Sequence, residues 1–110
     1  MKLFCHYSTT CFSNCYLLGP EEGGDALLVD PGSLDSQLLL LIEKNRLYVR
    51  SMLITHAHDN HVKAVKTLLK IYDAKLYGSM PYVYSFPLVR LYEKKTYSLS
   101  GFSVEIFEIP

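Results

Sequence analysis

The sequence predicts an α/β fold, a mixed β-sheet with helices packed on it, from three observations. Short apolar runs bounded by turn residues, at 26–29 and 52–54, alternate with longer segments of helical periodicity at 34–44 and 62–72. Pro31-Gly32 stops the first run where a strand must hand over to a helix. Hydrophobic residues make up 49% of 110 residues, which suits one small core and at most one domain.

The elements follow in order. Residues 2–7 and 12–18 read as two strands joined by a Ser-Thr-Thr turn, and 20–24 (Pro-Glu-Glu-Gly-Gly) as a second turn. Residues 26–30 form a strand. Ser33 suits an N-cap, and Asp35 suits the first turn of a helix over 34–44. That helix is leucine-rich on most sides, so it is expected to be well buried. Residues 48–55 are the next strand. The helix after it sets Val62, Val65, Leu69 and Tyr72 on one side and Lys63, Lys66 and Lys70 on the other. Residues 75–78 form a short strand. Pro81 and Pro87 break regularity over 79–92, where Tyr82, Tyr84, Phe86 and Tyr92 either pack a loop onto the core or roof a pocket. Residues 96–100 and 102–109 form a hairpin around Gly101, with the last strand expected to be buried on both faces.

Bulk charge excludes some functions. Eleven basic and eleven acidic residues leave no field to attract nucleic acid or anionic lipid. The lysine row has no interleaved aromatics and reads as a solvated face. No aliphatic run approaches the length of a membrane span, and no apolar segment follows Lys2 as in a signal peptide, so a cytoplasmic protein is expected. Cys5, Cys11 and Cys15 contain no CxxC pair and read as buried thiols in a reducing compartment. His6, alone in a strand, reads as structural.

Residues 55–61 are Thr-His-Ala-His-Asp-Asn-His, placing three of four histidines within six positions. Imidazole is the commonest protein ligand for zinc-type metals. In an extended segment i and i+2 face one side, so His56 and His58 can aim at one point. His61 lies past the bend, near the first helical turn, and can reach a second point close by. Such a layout serves two metals about 3.5–4 Å apart, which lower the proton affinity of a shared water. Asp59 and Asn60 are each either the helix N-cap or part of the site.

This segment resembles the H-x-H-x-D-H signature of the metallo-β-lactamase-fold hydrolases, the superfamily that includes glyoxalase II. Asn14-Cys15-Tyr16-Leu17-Leu18 is similar to that family's Asn-x-Tyr strand, and residues 26–32 are similar to its strand ending in Asp-Pro-Gly. The resemblance implies a metallo-β-lactamase-like αββα half-sandwich over 1–110. It implies His56 and His58 on a first metal, Asn60 and His61 on a second, and Asp30 as outer support. The metal implied is zinc, with iron or manganese as variants, and the substrate a small molecule carrying a thioester or ester. Asn60 stands where the family has Asp. An amide carbonyl can ligate a metal but cannot take a proton from the attacking water. Asp59, one residue earlier, is the candidate catalytic carboxylate if the turn is re-registered.

The later family ligands correspond to positions after Pro110. The chain therefore reads as the N-terminal half of a metallo-hydrolase, with weak metal binding by itself. It also reads as having a sheet face left uncovered and open to self-association. The alternative is a catalytically degenerate fragment of the same fold acting as a binding or assembly module.

Overall fold

The computed structural model describes residues 1–8, 13–31, 36–55, 59–83, 86–92 and 94–106; at 6–8, 13 and 59–63 it describes the backbone alone. A six-stranded sheet runs in the order β1 (Lys2–Ser8), β2 (Ser13–Gly19), β3 (Gly24–Val29), β4 (Leu47–Ile54), β5 (Lys75–Gly78), β8 (Val89–Arg90). The β1/β2 and β2/β3 pairs are antiparallel; β3/β4, β4/β5 and β5/β8 are parallel. Parallel neighbours need a crossover. Helices α1 (Ser36–Lys44) and α2 (Asp59–Ile71) supply the first two. The mixed sheet and two helices are those predicted.

The third crossover differs from expectation. Within 79–92, β6 (Tyr82–Val83) and β7 (Phe86–Pro87) form a small antiparallel hairpin, and β8 then joins the main sheet beside β5. Two-residue strands are too short to show a period, and Pro87 is tolerated because its strand is an edge. The aromatics here divide. Phe86 packs against the core, whereas Tyr82 and Tyr92 stay exposed; Tyr84 lies outside the described residues.

Helix α1 is less buried than its composition suggests. Only Leu38 and Ile42 are buried, while Leu40 is 62% exposed. A short helix lying on a sheet has one neighbouring surface, and i, i+4 spacing selects the residues that meet it. Its end is set by Asn45, whose side-chain amide donates to the Leu41 carbonyl at 2.8 Å, and by Arg46 in the left-handed region at φ 54°. Helix α2 buries Ala64, Val65 and Leu68, with Tyr72 buried just past its end, and exposes Lys66 and Lys70. Val65 and Leu68 are fully buried, whereas Leu69, expected on the same side as Val65, is only partly buried.

Two apolar clusters flank the sheet. Under the helices lie Leu17, Leu28, Val49, Met52, Ile54 and their helix partners. On the opposite face Leu27 and Leu53 meet Leu91 and Leu99 beneath the hairpin of β9 (Thr96–Leu99) and β10 (Phe102–Glu105). Burial on both faces explains why β3 and β4 read as unbroken apolar runs. The hairpin turns at Ser100 (φ 52°) and Gly101 (φ 82°), positive φ at both central residues as a two-residue type I′ turn requires. Strand β10 alternates half-buried and exposed residues, so the expectation of two buried faces fails over Phe102–Glu105. The β3/β4 register shifts between Ala26 and Leu27. There the Ser100 hydroxyl donates to the Ala26 carbonyl at 3.0 Å and is hydrogen-bonded to the buried Ser51 hydroxyl at 2.9 Å, tying the turn to the sheet.

Candidate metal centre

In sheets of parallel strands, the carboxyl ends form the crevice where ligands bind. Strands β3 and β4 pair in parallel with Val29 opposite Leu53, so the residues that follow them emerge side by side. These are Asp30 and Thr55. Asp30 turns off the strand at φ 50°, a left-handed conformation that Asp tolerates better than most residues. Its N–H donates to the Leu53 carbonyl at 2.9 Å, which holds the turn against β4.

The Asp30 carboxylate then closes over Thr55. Oδ1 accepts the Thr55 N–H at 2.7 Å, and Oδ2 accepts the Thr55 hydroxyl. Hydrogen bonds to an ionised carboxylate are stronger than neutral ones. Two of them on one residue fix both the position and the direction of the chain as it leaves β4 toward His56. The partner of Asp30 is Thr55, which the sequence marked only as part of the histidine segment.

Gly78 was not singled out by sequence. It ends β5 opposite Ile54. A Cβ there would lie 2.8 Å from the Ile54 carbonyl oxygen and 2.7 Å from a Leu88 methyl. Only glycine lets β5 and the β7–β8 connection approach the end of β4. Its one sequence signal was its place at a strand terminus. Asn14 lies at the same end of the sheet, because β2 runs antiparallel to β3. It is exposed, and its Oδ1 accepts the Cys5 thiol at 3.6 Å.

His56 and His58 lie outside the described residues. The backbone of Asp59, Asn60 and His61 forms the first turn of α2, while their side chains lie outside the described set. The helix N-terminus carries partial positive charge, which favours anionic groups at its mouth. Among the described residues no group of three or more His, Cys, Asp or Glu side chains is gathered to hold a metal. The residue types at 56–61, imidazoles with an amide and a carboxylate, are ones that zinc-type ions take as ligands.

Two lesser expectations divide. Cys15 is buried as predicted, whereas Cys5 is exposed; Cys11 lies outside the described residues. His6 sits in β1 by its backbone, with its side chain outside the described set. The displaced ionisation belongs elsewhere. Burial pushes the Tyr72 hydroxyl above the usual tyrosine value, and the Glu43 and Tyr48 charges add to this. Tyr72 follows the C-terminal end of α2, the end opposite the histidines.

Comparison with known proteins agrees with this geometry. A family model described as the metallo-beta-lactamase superfamily matches residues 8–108. A hydroxyacylglutathione hydrolase of Hahella chejuensis is 39% identical over 90 residues, covering 82% of this chain and 35% of the relative. The crystal structure of BLEG-1, a B3 metallo-beta-lactamase, superposes with a TM-score of 0.78 at 18% identity, covering 99% of this chain and 62% of that one, a likeness of fold. TTHA1623, solved in a di-iron-bound form, is 35% identical with a TM-score of 0.56, covering 67% of this chain and 36% of that one. The chain spans about a third of the length of the curated relatives it matches. No helix among the described residues is long and apolar enough to cross a membrane.

Proposed function

The chain belongs to the metallo-beta-lactamase superfamily, and from that premise we propose that its 110 residues are the N-terminal part of a metal-dependent hydrolase of thioesters or esters. The single observation that carries this is the Asp30–Thr55 clasp at the carboxyl ends of β3 and β4. It fixes the backbone one residue before His56, as a site needing imidazoles in a set orientation requires. His56 and His58 would hold a first metal; Asn60, through its carbonyl oxygen, and His61 would hold a second. Zinc is the first choice, and iron is supported by the di-iron relative. When bound, the metal supplies Lewis-acid polarisation and activates water near neutral pH.

The remaining roles fall to this chain's own side chains. Asp30 holds Thr55 in place, and Asp59 is the carboxylate available to accept a proton. A small-molecule thioester is supported by the hydroxyacylglutathione hydrolase relative, and the compartment that goes with this reading is the cytoplasm. Self-association through the uncovered part of the sheet belongs to the same reading.

The test is calorimetric titration of the chain with zinc and with ferrous iron, beside the His56→Ala/His58→Ala variant. Weak binding that the double variant abolishes is the expected result, with little hydrolysis of a hydroxyacylglutathione thioester by the 110 residues alone. Identical titrations for the two proteins would overturn it.

Asn60 favours a second reading, a degenerate module that keeps the fold without the chemistry. Asn60→Asp separates the two. A working site gains affinity for its second metal, whereas a dead scaffold gains nothing.

A further inference from the structure

The pairing of β3 with β4 changes register once. Ala26 lies opposite Val49 and Leu27 opposite Ser51, so Arg50 has no partner on β3. It is a one-residue bulge, a feature uncommon between parallel strands and frequent beside functional sites. The bulge breaks the alternation of β4. Leu47 and Val49 pack in the cluster under the helices, and so do Met52 and Ile54, a switch from odd to even positions.

An unshifted ladder would set Leu27 opposite Arg50, Leu28 opposite Ser51 and Val29 opposite Met52. Asp30 would then meet Ile54, which offers an N–H but no hydroxyl, and the chain would leave toward His56 one residue out of phase. Hydrophobic patterning does not forbid this. It fixes register where a slip turns apolar side chains into water, but Met52, Leu53 and Ile54 are all apolar and all buried, on alternate faces. Two polar residues forbid it. Arg50 would come beside buried Leu27, whereas in the bulge it is exposed, with Nε donating to Asp25 Oδ1 at 3.3 Å and its guanidinium 4.2 Å from the Tyr48 ring centre. Ser51 would turn into the apolar cluster under the helices. Instead it is 4% exposed on the hairpin face, 2.9 Å from the Ser100 hydroxyl. Ser100 has one hydroxyl proton to give. Given to the Ala26 carbonyl at 3.0 Å, it leaves the Ser100 oxygen to accept from Ser51. A buried hydroxyl turned away from its acceptor is costly.

We propose that Arg50, Ser51 and Ser100 are positioning residues for the candidate metal centre: their polar groups hold the bulge in β4, and the bulge brings Thr55 level with Asp30. The inference rests on the functional reading only in taking the Asp30–Thr55 clasp to orient the histidine segment. Along the extended strand Ser51 lies about 13 Å from Thr55. The coupling therefore travels through register, not through contact. Both faces of β4 accept apolar side chains, so the polar groups at the bulge are what distinguish the right pairing from the wrong one.

The test reads hydrogen exchange of the Thr55 amide in the full chain, with rates corrected for overall stability from urea unfolding. Arg50→Leu/Ser51→Ala removes both obstacles to the unshifted ladder and should exchange that amide about tenfold faster than the parent. Deletion of Arg50 combined with Ser51→Ala lacks the same two polar groups but has no surplus residue to place. Its Thr55 amide should stay within about twofold of the parent. Equal acceleration in the two overturns the proposal, because the polar groups would then act on stability alone. So does a parent rate in Arg50→Leu/Ser51→Ala. If either double variant does not fold, Ser51→Ala is set beside Gly101→Ala, which strains the hairpin turn at φ 82° and keeps both hydroxyls. Ser51→Ala should accelerate Thr55 more, and equal rates overturn the proposal. Zinc titration of the same samples is a separate arm. A parent chain that binds no zinc removes the functional reading and leaves the exchange result standing.

Discussion

The carboxylate of Asp30 accepts two hydrogen bonds from Thr55, one from the backbone N–H and one from the hydroxyl, across a separation of 25 residues. Both residues leave neighbouring parallel strands at their carboxyl ends, so the clasp joins the two backbones at the mouth of the crevice.

Asp30→Ala leaves the Thr55 N–H and hydroxyl without this acceptor and should cost about 1–3 kcal/mol of stability. Thr55→Val keeps the backbone bond and should cost less. In urea unfolding, the double variant should lose less than the sum of the two, since the sites share the interaction. On the metallo-hydrolase reading, either change also weakens metal binding about 10–100-fold. Strict additivity would remove the clasp from the account.

Gly78 and Gly101 test two different demands on glycine. Gly78→Ala meets the Ile54 carbonyl and Leu88, and should destabilise by about 1–3 kcal/mol through overpacking at the end of β4. Gly101→Ala meets nothing within 4 Å but sits at φ 82°, so its cost is conformational strain, about 1 kcal/mol. Hydrogen exchange should separate them. Gly78→Ala loosens the amides at the end of β4, and Gly101→Ala loosens those of the β9–β10 hairpin.

One-sided burial of α1 makes two chemically identical substitutions unequal. Leu38→Ala empties a fully buried position and should cost about 2–5 kcal/mol. Leu40→Ala, at an exposed position, should change stability by no more than about 0.5 kcal/mol. Thermal unfolding of the pair decides it, and equal losses would mean that the helix packs on both sides.

The raised Tyr72 value makes a statement about alkaline stability. Its proton is held more tightly in the fold than in the unfolded chain, because burial, Glu43 and Tyr48 all oppose the phenolate. The stabilisation is fully present below the ordinary tyrosine value of about 10 and is lost as pH rises through the higher folded value. Tyr72→Phe should flatten that part of the pH–stability curve while leaving neutral-pH behaviour nearly unchanged. An alkaline loss of the same size in the variant would assign it to other groups.

Local chemistry was legible wherever a residue's neighbours in sequence decide its state. The alternation of apolar runs with helical periodicity gave the mixed sheet and both helices, and the Ser100-Gly101 turn gave the last hairpin. What tertiary structure alone decided depends on partners far away in the chain. Leu40 and Leu38 look alike in sequence, and only the position of the sheet buries one of them. Strand β8 has two residues and no period, yet β5 gives it a place. Gly78 is required by a carbonyl on another strand. That Asp30 and Thr55 are partners shows only when the parallel pairing of β3 with β4 brings a carboxylate within reach of two donors. Periodicity and turn propensity act over a few residues, whereas these features are set by which surfaces meet when the chain closes on itself.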